Sequence, residues 1–140
     1  MNLADVEARV GLSTPIRHQL YINGRFVDAE SGETLPTLNP HDNSTIAEVA
    51  LAGKADVDRA VAAARRALPA WRRMAAADRG RILLRLADLI EANTETLARL
   101  ESLDTGHPVR DTRGLDVPRT AGCYRYFGGM ADKFQGETIP

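Results

Sequence analysis

Short apolar runs punctuated by turn residues fill the chain up to Gly53, and apolar residues at helical spacing follow it. Leu20-Tyr21-Ile22 and Arg25-Phe26-Val27 flank Asn23-Gly24. A type I′ turn needs positive φ at both central residues, which Asn-Gly accepts at little cost, so this stretch predicts a β-hairpin. Ser31-Gly32-Glu33 reads as a further turn, Thr34 to Leu38 as a strand, Asn39-Pro40 as a break and Thr45 to Ala50 as another strand. Residues 1–19 carry no sustained pattern and read as a flexible or loosely docked arm.

After Gly53, the residues Val57, Ala60, Val61, Ala64 and Leu68 recur along one helical face. Gly53 suits the N-cap, and Asp56 falls in the first turn, where the helix dipole favours an anion. Pro69 is expected to end this helix, because it lacks the donor the next turn needs. Ile82, Leu83, Leu86, Leu89 and Ile90 predict a second helix, and Leu97, Leu100 and Leu103 a third after a break near Asn93-Thr94. Gly106 with Pro108 two residues later is a stop signal. A last helix is expected from about Thr112 to Lys133, with a kink or delayed start at Pro118.

Composition narrows the classes. At 140 residues and 44% apolar content, the chain fits one domain-sized unit with a core. A net charge of −1 argues against a dedicated polyanion binder or a membrane-surface protein. No apolar run approaches the roughly 18 residues a membrane span requires. Met1 to Gln19 mixes Asp5, Glu7 and Arg9 with scattered apolar residues, so no secretory signal is expected. Cys123 stands alone, which precludes an intrachain disulfide and suits the cytoplasm. Lys54 to Arg85 holds nine basic and three acidic residues; Leu86 to Asp116 holds seven acidic and three basic ones. Such opposed halves predict solvated helix faces with intramolecular pairing rather than a nucleic-acid surface.

The residues offer little catalytic chemistry by themselves. His18, His41 and His107 share no metal-ligand spacing and read as exposed loop residues. No glycine-rich phosphate loop occurs, and Gly128-Gly129 in a helical context points to close helix packing. A reactive cysteine needs a base, a helix N-terminus or a cationic neighbour. Cys123 lies in an apolar-rich helix with Arg125 on another face, so a buried structural thiol is expected. Arg65, Arg66, Arg72, Arg73, Arg79, Arg81 and Arg85, with Trp71, have a possible reading as a nucleic-acid platform. The competing reading is a polar helix face plus a core tryptophan anchoring the inter-helix loop; interleaved lysine clusters and further exposed aromatics are lacking, which favours it.

An ordered set of segments resembles the N-terminal region of the NAD(P)-dependent aldehyde dehydrogenase family. They are Tyr21 to Val27, Leu35 to Pro40, Asp56 to Ala64, Arg79 to Ile90, Glu101 to Pro108, Cys123 to Phe127 and Gly136 to Pro140. The resemblance implies a partial α/β fold: an N-terminal hairpin and edge strands, then three or four packed helices, with the central parallel sheet missing. Residues 20–140 would form the N-terminal portion of the NAD(P)-binding domain.

The implied activity of the complete enzyme is oxidation of an aldehyde to its acid with NAD or NADP. In that mechanism a thiolate attacks the carbonyl, hydride passes to nicotinamide, and water hydrolyses the thioester. None of the family's catalytic or cofactor-binding motifs occurs here, and Cys123 does not hold the nucleophile's place in the motif order. The 140-residue chain is therefore expected to be inactive alone. The complete protein is expected to be a homo-oligomer acting on an aldehyde, with no nucleic-acid or membrane partner. The alternative is a non-catalytic piece that docks on another aldehyde dehydrogenase subunit or fragment, its exposed apolar helix faces lacking their cover.

The resemblance also carries two sites onto this chain. A structural monovalent cation would be held through Thr37, Leu38 and Asp104, oxygen donors that suit a hard cation; otherwise Asp104 pairs with nearby backbone at its helix end. Leu115, Asp116 and Arg119 would face the mouth of the substrate tunnel. A fixed cation at Arg119 repels cationic substrates, so neutral or anionic aldehydes are expected.

Overall fold

The computed structural model describes residues 7, 8, 11 and 17–137. The expected flexible arm lies largely outside the described residues. Its described end is tied down: the His18 carbonyl accepts from the Ala50 amide at 2.9 Å, and Arg17 lies over the Phe26 ring at 5.6 Å.

Four short strands form two separate antiparallel pairs. β1 (Leu20–Ile22) pairs with β2 (Arg25–Val27) in the register Leu20↔Val27. Asn23 and Gly24 both take positive φ, 54° and 77°, as the turn chemistry requires. β3 (Thr34–Leu38) pairs with β4 (Thr45–Ala50), and the register shifts between Thr37 and Leu38. Among the described residues no parallel pairing occurs, in keeping with a partial α/β fold.

Helices make up the rest: α1 (Lys54–Arg73), α2 (Ala76–Ala92), α3 (Thr94–Thr105), the single turn α4 (Val109–Asp111) and α5 (Val117–Met130). A π-helical turn, Thr112–Asp116, joins α4 to α5. The backbone is helical through Pro118 rather than starting late there; the irregularity expected at that proline takes the form of the π turn before it. Asn93 separates α2 from α3, and Gly106 closes α3 with φ 76°. α2 and α5 make the most extensive helix contact, with Gly80 against Gly128 and the buried Ala87 and Ala121 along the seam. Arg125 reaches from α5 to Asp88 at 2.9 Å and Glu91 at 2.6 Å on α2; the ion pairs of the basic stretch 54–85 stay within that stretch and, among the described residues, none joins it to the acidic stretch 86–116.

Four local expectations are corrected. Pro69 does not end α1, which continues to Arg73. The carbonyl left without a donor is that of Arg65, on an exposed stretch where water can serve it. Because the helix continues, Trp71 lies within α1 at 42% exposure rather than in a loop-anchoring core position. Cys123 is exposed, not buried: the packed stripe of α5 runs through Val117, Ala121 and Gly128, and Cys123 lies off it. Exposed aromatics are also not lacking: Tyr126 and Phe127 on α5 are 63% and 58% exposed, and the exposed Tyr21 lines a groove with Ala60, Ala64 and Ala67 of α1.

The arginine cluster does not form one open face. Arg79 donates to the Met74 carbonyl at 2.7 Å, closing the end of α1, and Arg81 pairs with Asp78. The three histidines are exposed, as expected.

Candidate functional site

The end of α3 and the β3–β4 turn come together. Gly106, in the left-handed conformation, lies so close to Pro40 that a Cβ there would stand 2.9 Å from the proline Cγ. That approach sets Asp104 and Thr105 beside the β3–β4 pair. A cleft of about 460 Å³ results, its wall including Thr37, Ile46 and Val49 from the strands and Leu97, Leu100 and Asp104 from α3.

Two of the three candidate cation ligands, Thr37 and Asp104, therefore share one cleft although 67 positions apart in sequence. Leu38 does not line it, and its side chain is 46% exposed. The shift in the β3–β4 ladder falls between Thr37 and Leu38, where main-chain groups leave regular pairing. Asp104 makes no hydrogen bond or ion pair among the described residues, so the reading in which it only pairs with helix-end backbone is not seen. A carboxylate and main-chain carbonyls are a donor set that fits a hard monovalent cation. Among the described residues no His, Cys, Asp and Glu cluster suits a transition metal.

The second group lies on the turn between α3 and α5. Asp116 does not stand free: its Oδ2 is 2.7 Å from His107 Nδ1. Leu115 is 47% exposed, and Arg119, one turn further on, is exposed with no ion pair among the described residues. The acid is thus hydrogen-bonded to the His107 ring, while the cation has no described partner.

What holds this turn was not legible in the sequence. Thr112, fully buried, donates its hydroxyl to the Ala98 carbonyl of α3 at 2.9 Å. Glu95 accepts two hydrogen bonds from Arg113, at 2.7 and 2.8 Å, and one from Arg99 at 2.7 Å. Those guanidinium groups, Arg113 first, hold the Glu95 carboxyl below its ordinary range.

A buried carboxylate organises the start of α1. Asp56, 1% exposed, accepts from the Gly53 amide at 2.9 Å and the Glu30 amide at 3.2 Å, and pairs with Arg59. The Gly53 amide leads in holding its carboxyl below the usual range; burial works the other way, and Arg59 adds to the lowering. The spacing Gly53 to Asp56 was the available signal; the partner Glu30 was not. This N-terminus is occupied by the chain's own carboxylate. With no glycine-rich loop nearby, the residues present do not fit a dinucleotide phosphate.

The sequence profile of the aldehyde dehydrogenase family matches residues 26–140, and the chain belongs to that family. Mitochondrial 10-formyltetrahydrofolate dehydrogenase of Mus musculus is 50% identical over 132 residues, covering 93% of this chain and 14% of the mouse protein. PnpE from Pseudomonas sp. WBC-3, solved also with nicotinamide adenine dinucleotide, superposes with a TM-score of 0.87 at 64% identity. That match covers 89% of this chain and 26% of PnpE. The gamma-glutamyl-gamma-aminobutyraldehyde dehydrogenase of Burkholderia cenocepacia J2315 superposes with a TM-score of 0.88 at 39% identity, over all of this chain and 29% of that one. The chain thus spans 14% to 29% of the length of these relatives. Among the described residues no helix is long and apolar enough to cross a membrane.

Proposed function

We propose that this chain is the N-terminal portion of the cofactor-binding domain of an NAD(P)-dependent aldehyde dehydrogenase, serving the complete enzyme as scaffold and site wall. The observation that carries this reading is the family match over residues 26–140 at only about a quarter of the length of PnpE. The complete enzyme oxidises an aldehyde to a carboxylic acid and reduces NAD or NADP. The 140-residue chain is inactive alone, because covalent catalysis needs a nucleophile set beside a base and an oxyanion donor. Purified chain given aliphatic and aromatic aldehydes with NAD⁺ or NADP⁺ is expected to form no NAD(P)H. Aldehyde-dependent NAD(P)H formation abolished by Cys123→Ser would overturn this. Intact mass from the natural source complements it: a species far above 15.3 kDa supports the whole-enzyme reading.

In this reading Thr37, Leu38 and Asp104 hold a structural monovalent cation. The shared cleft of Thr37 and Asp104 supports it. Potassium or sodium, against choline at equal ionic strength, is expected to raise the thermal midpoint, and Asp104→Asn to erase the difference. An unchanged difference in that variant removes Asp104 from the site.

Leu115, Asp116 and Arg119 form part of the substrate mouth in the same reading. The Asp116 carboxylate is hydrogen-bonded to His107 while Arg119 has no described partner, so neutral or anionic aldehydes are favoured. In the complete enzyme Arg119→Asp is expected to shift the kcat/KM ratio toward cationic aldehydes. An unchanged ratio would sink the assignment.

A second reading, a non-catalytic piece that docks on another subunit or fragment, has one observation in its favour. Val57, Val61 and Leu68 on α1, and Ile82, Leu86 and Leu89 on α2, form exposed apolar stripes. Sedimentation with a longer homologue tests it: a shared boundary supports docking, and two independent species count against it.

A further inference from the structure

Three segments of the chain carry an aspartate with an arginine three residues on, each at the head of a helix. They are Asp56 and Arg59 on α1, Asp78 and Arg81 on α2, and Asp116 and Arg119 at the start of α5. That spacing puts both side chains on one helix face, one turn apart, where opposite charges attract. Asp116 and Val117 take helical backbone angles, so the spacing holds in the third case too. The first two pairs close as ion pairs. The third does not: Arg119 is exposed and has no ion pair among the described residues.

The difference lies in what Asp116 meets. Its Oδ2 accepts from His107 Nδ1 at 2.7 Å, across the gap between the end of α3 and the wide π turn. Anchors hold both partners in place. Gly106 turns the chain out of α3 in the left-handed conformation, and the His107 amide donates to Thr105 Oγ1 at 3.2 Å. The Asp116 carbonyl accepts from the Thr120 hydroxyl at 2.9 Å. Arg119 has no other carboxylate at helix-neighbour spacing, since the remaining places hold Leu115, Gly122 and Cys123. With Asp116 engaged, the guanidinium stands open, a fixed charge with a fork of donors that matches a carboxylate.

We propose that His107 is a positioning residue for an anion receptor at Arg119: by holding Asp116, it keeps the guanidinium free to take the carboxylate of an aldehyde substrate. This rests on the reading of Arg119 as part of the substrate mouth, and it narrows that reading to aldehydes carrying a second, anionic group. An Asp116–Arg119 pair would be weak, as exposed pairs are, but it would occupy the donors and repel an incoming anion.

The complete enzyme tests this, with succinate semialdehyde as the anionic probe and pentanal as the neutral one. His107→Ala removes an exposed ring and leaves the core untouched. In a crystal structure of that variant, Asp116 is expected to turn to Arg119 and pair with it. The kcat/KM ratio of succinate semialdehyde to pentanal is expected to fall roughly two- to fivefold, through KM and not kcat, the range an exposed pair supports. His107→Ala/Asp116→Asn is expected to restore the ratio, because no carboxylate is left to pair. His107→Asn is expected to keep it, because an amide can donate from the place of Nδ1. An Asp116 that stays apart from Arg119 in His107→Ala overturns the proposal, and so does a pair that forms without moving the ratio. Arg119→Asp then separates the failures. If that variant shifts the ratio, the mouth assignment stands and only the role of His107 falls; if it does not, the mouth assignment itself fails.

Discussion

A Cβ placed on Gly80 would stand 2.5 Å from the carbonyl oxygen of Gly128, so α2 and α5 touch backbone to backbone at their crossing. Gly128 is equally confined: its Cβ would lie 3.0 Å from the Gly80 carbonyl and 3.1 Å from Leu83 Cβ. Main chain cannot swing aside as a side-chain end can. Gly80→Ala is expected to destabilise the chain by about 1–3 kcal/mol through forced separation of the helices. Gly129→Ala is the control, since its Cβ meets nothing within 4 Å; removing backbone freedom from a helix there is expected to be neutral or to stabilise by up to about 1 kcal/mol. Urea midpoints of the two variants, compared with wild type, check both. Equal gains would mean that propensity alone decides and that the contact at Gly80 imposes no cost.

Asp56 gives the fold a defined response to acid. Its carboxyl is held below the usual carboxylate range by the Gly53 amide first, with Arg59 and the Glu30 amide adding to this. The unfolded chain therefore binds this proton more readily than the folded one. The contribution is complete above the ordinary Asp range and is lost as pH falls through the lowered folded value. Wild type is expected to lose stability on acidification through and below that range, and Asp56→Asn to start less stable at neutral pH but to lose less. Glu95, Asp111 and Asp132 are lowered in the same direction, first by Arg113, Arg110 and Lys133, so some acid sensitivity persists in the variant. Thermal midpoints at pH steps from neutral downward measure the two slopes; parallel slopes would remove Asp56 as a source.

Local chemistry made much of the fold legible. Asn23-Gly24 and Gly106 take positive φ, a requirement few residues meet, and Gly53 and Asn93 stand at helix caps; the structure breaks at each. Pro69 misled, because in an exposed helix one unserved carbonyl costs less than abandoning the remaining turn. Cys123 and Trp71 misled for a different reason. Burial depends on which stripe of a helix meets a partner, and periodicity cannot rank stripes when several are apolar. The same limit applied to the candidate sites. Thr37 and Asp104 line one cleft, but the bond of Asp116 to His107 joins the loop after α3 to the end of a π turn, which no apolar periodicity marks.

Thr112 is the buried polar link between α3 and the wide turn. Its hydroxyl is 2.9 Å from the Ala98 carbonyl and 3.2 Å from that of Val109, so one proton serves two acceptors in alternation. Thr112→Val keeps the shape and removes the donor. The expected cost is about 0.5–1.5 kcal/mol, the ordinary net worth of one hydrogen bond, because both carbonyls lie where helical amides can also serve them. Hydrogen exchange at the Val117 amide is expected to quicken in parallel. A loss of stability without faster exchange there would place the effect in packing rather than in the link.

The contact of Gly106 with Pro40 joins the end of α3 to the β3–β4 turn, and the cleft holding Thr37 and Asp104 depends on it. Two costs fall together on Gly106→Ala. A φ of 76° is a left-handed conformation, disfavoured for alanine by about 1–2 kcal/mol. The new Cβ would also stand 2.9 Å from the Pro40 ring, which cannot rotate away. Pro40→Ala relieves only the second cost. A double-mutant cycle therefore separates them: Pro40→Ala/Gly106→Ala is expected to be less destabilised than the two single losses added, by about 0.5–3 kcal/mol. Strict additivity would show that the two elements do not bear on each other, and that the cleft is set from elsewhere. The cation response supplies a second readout. Gly106→Ala displaces Asp104 from the Thr37 strand, so the potassium-dependent rise in thermal midpoint is expected to shrink in this variant and to recover partly when Pro40→Ala is added.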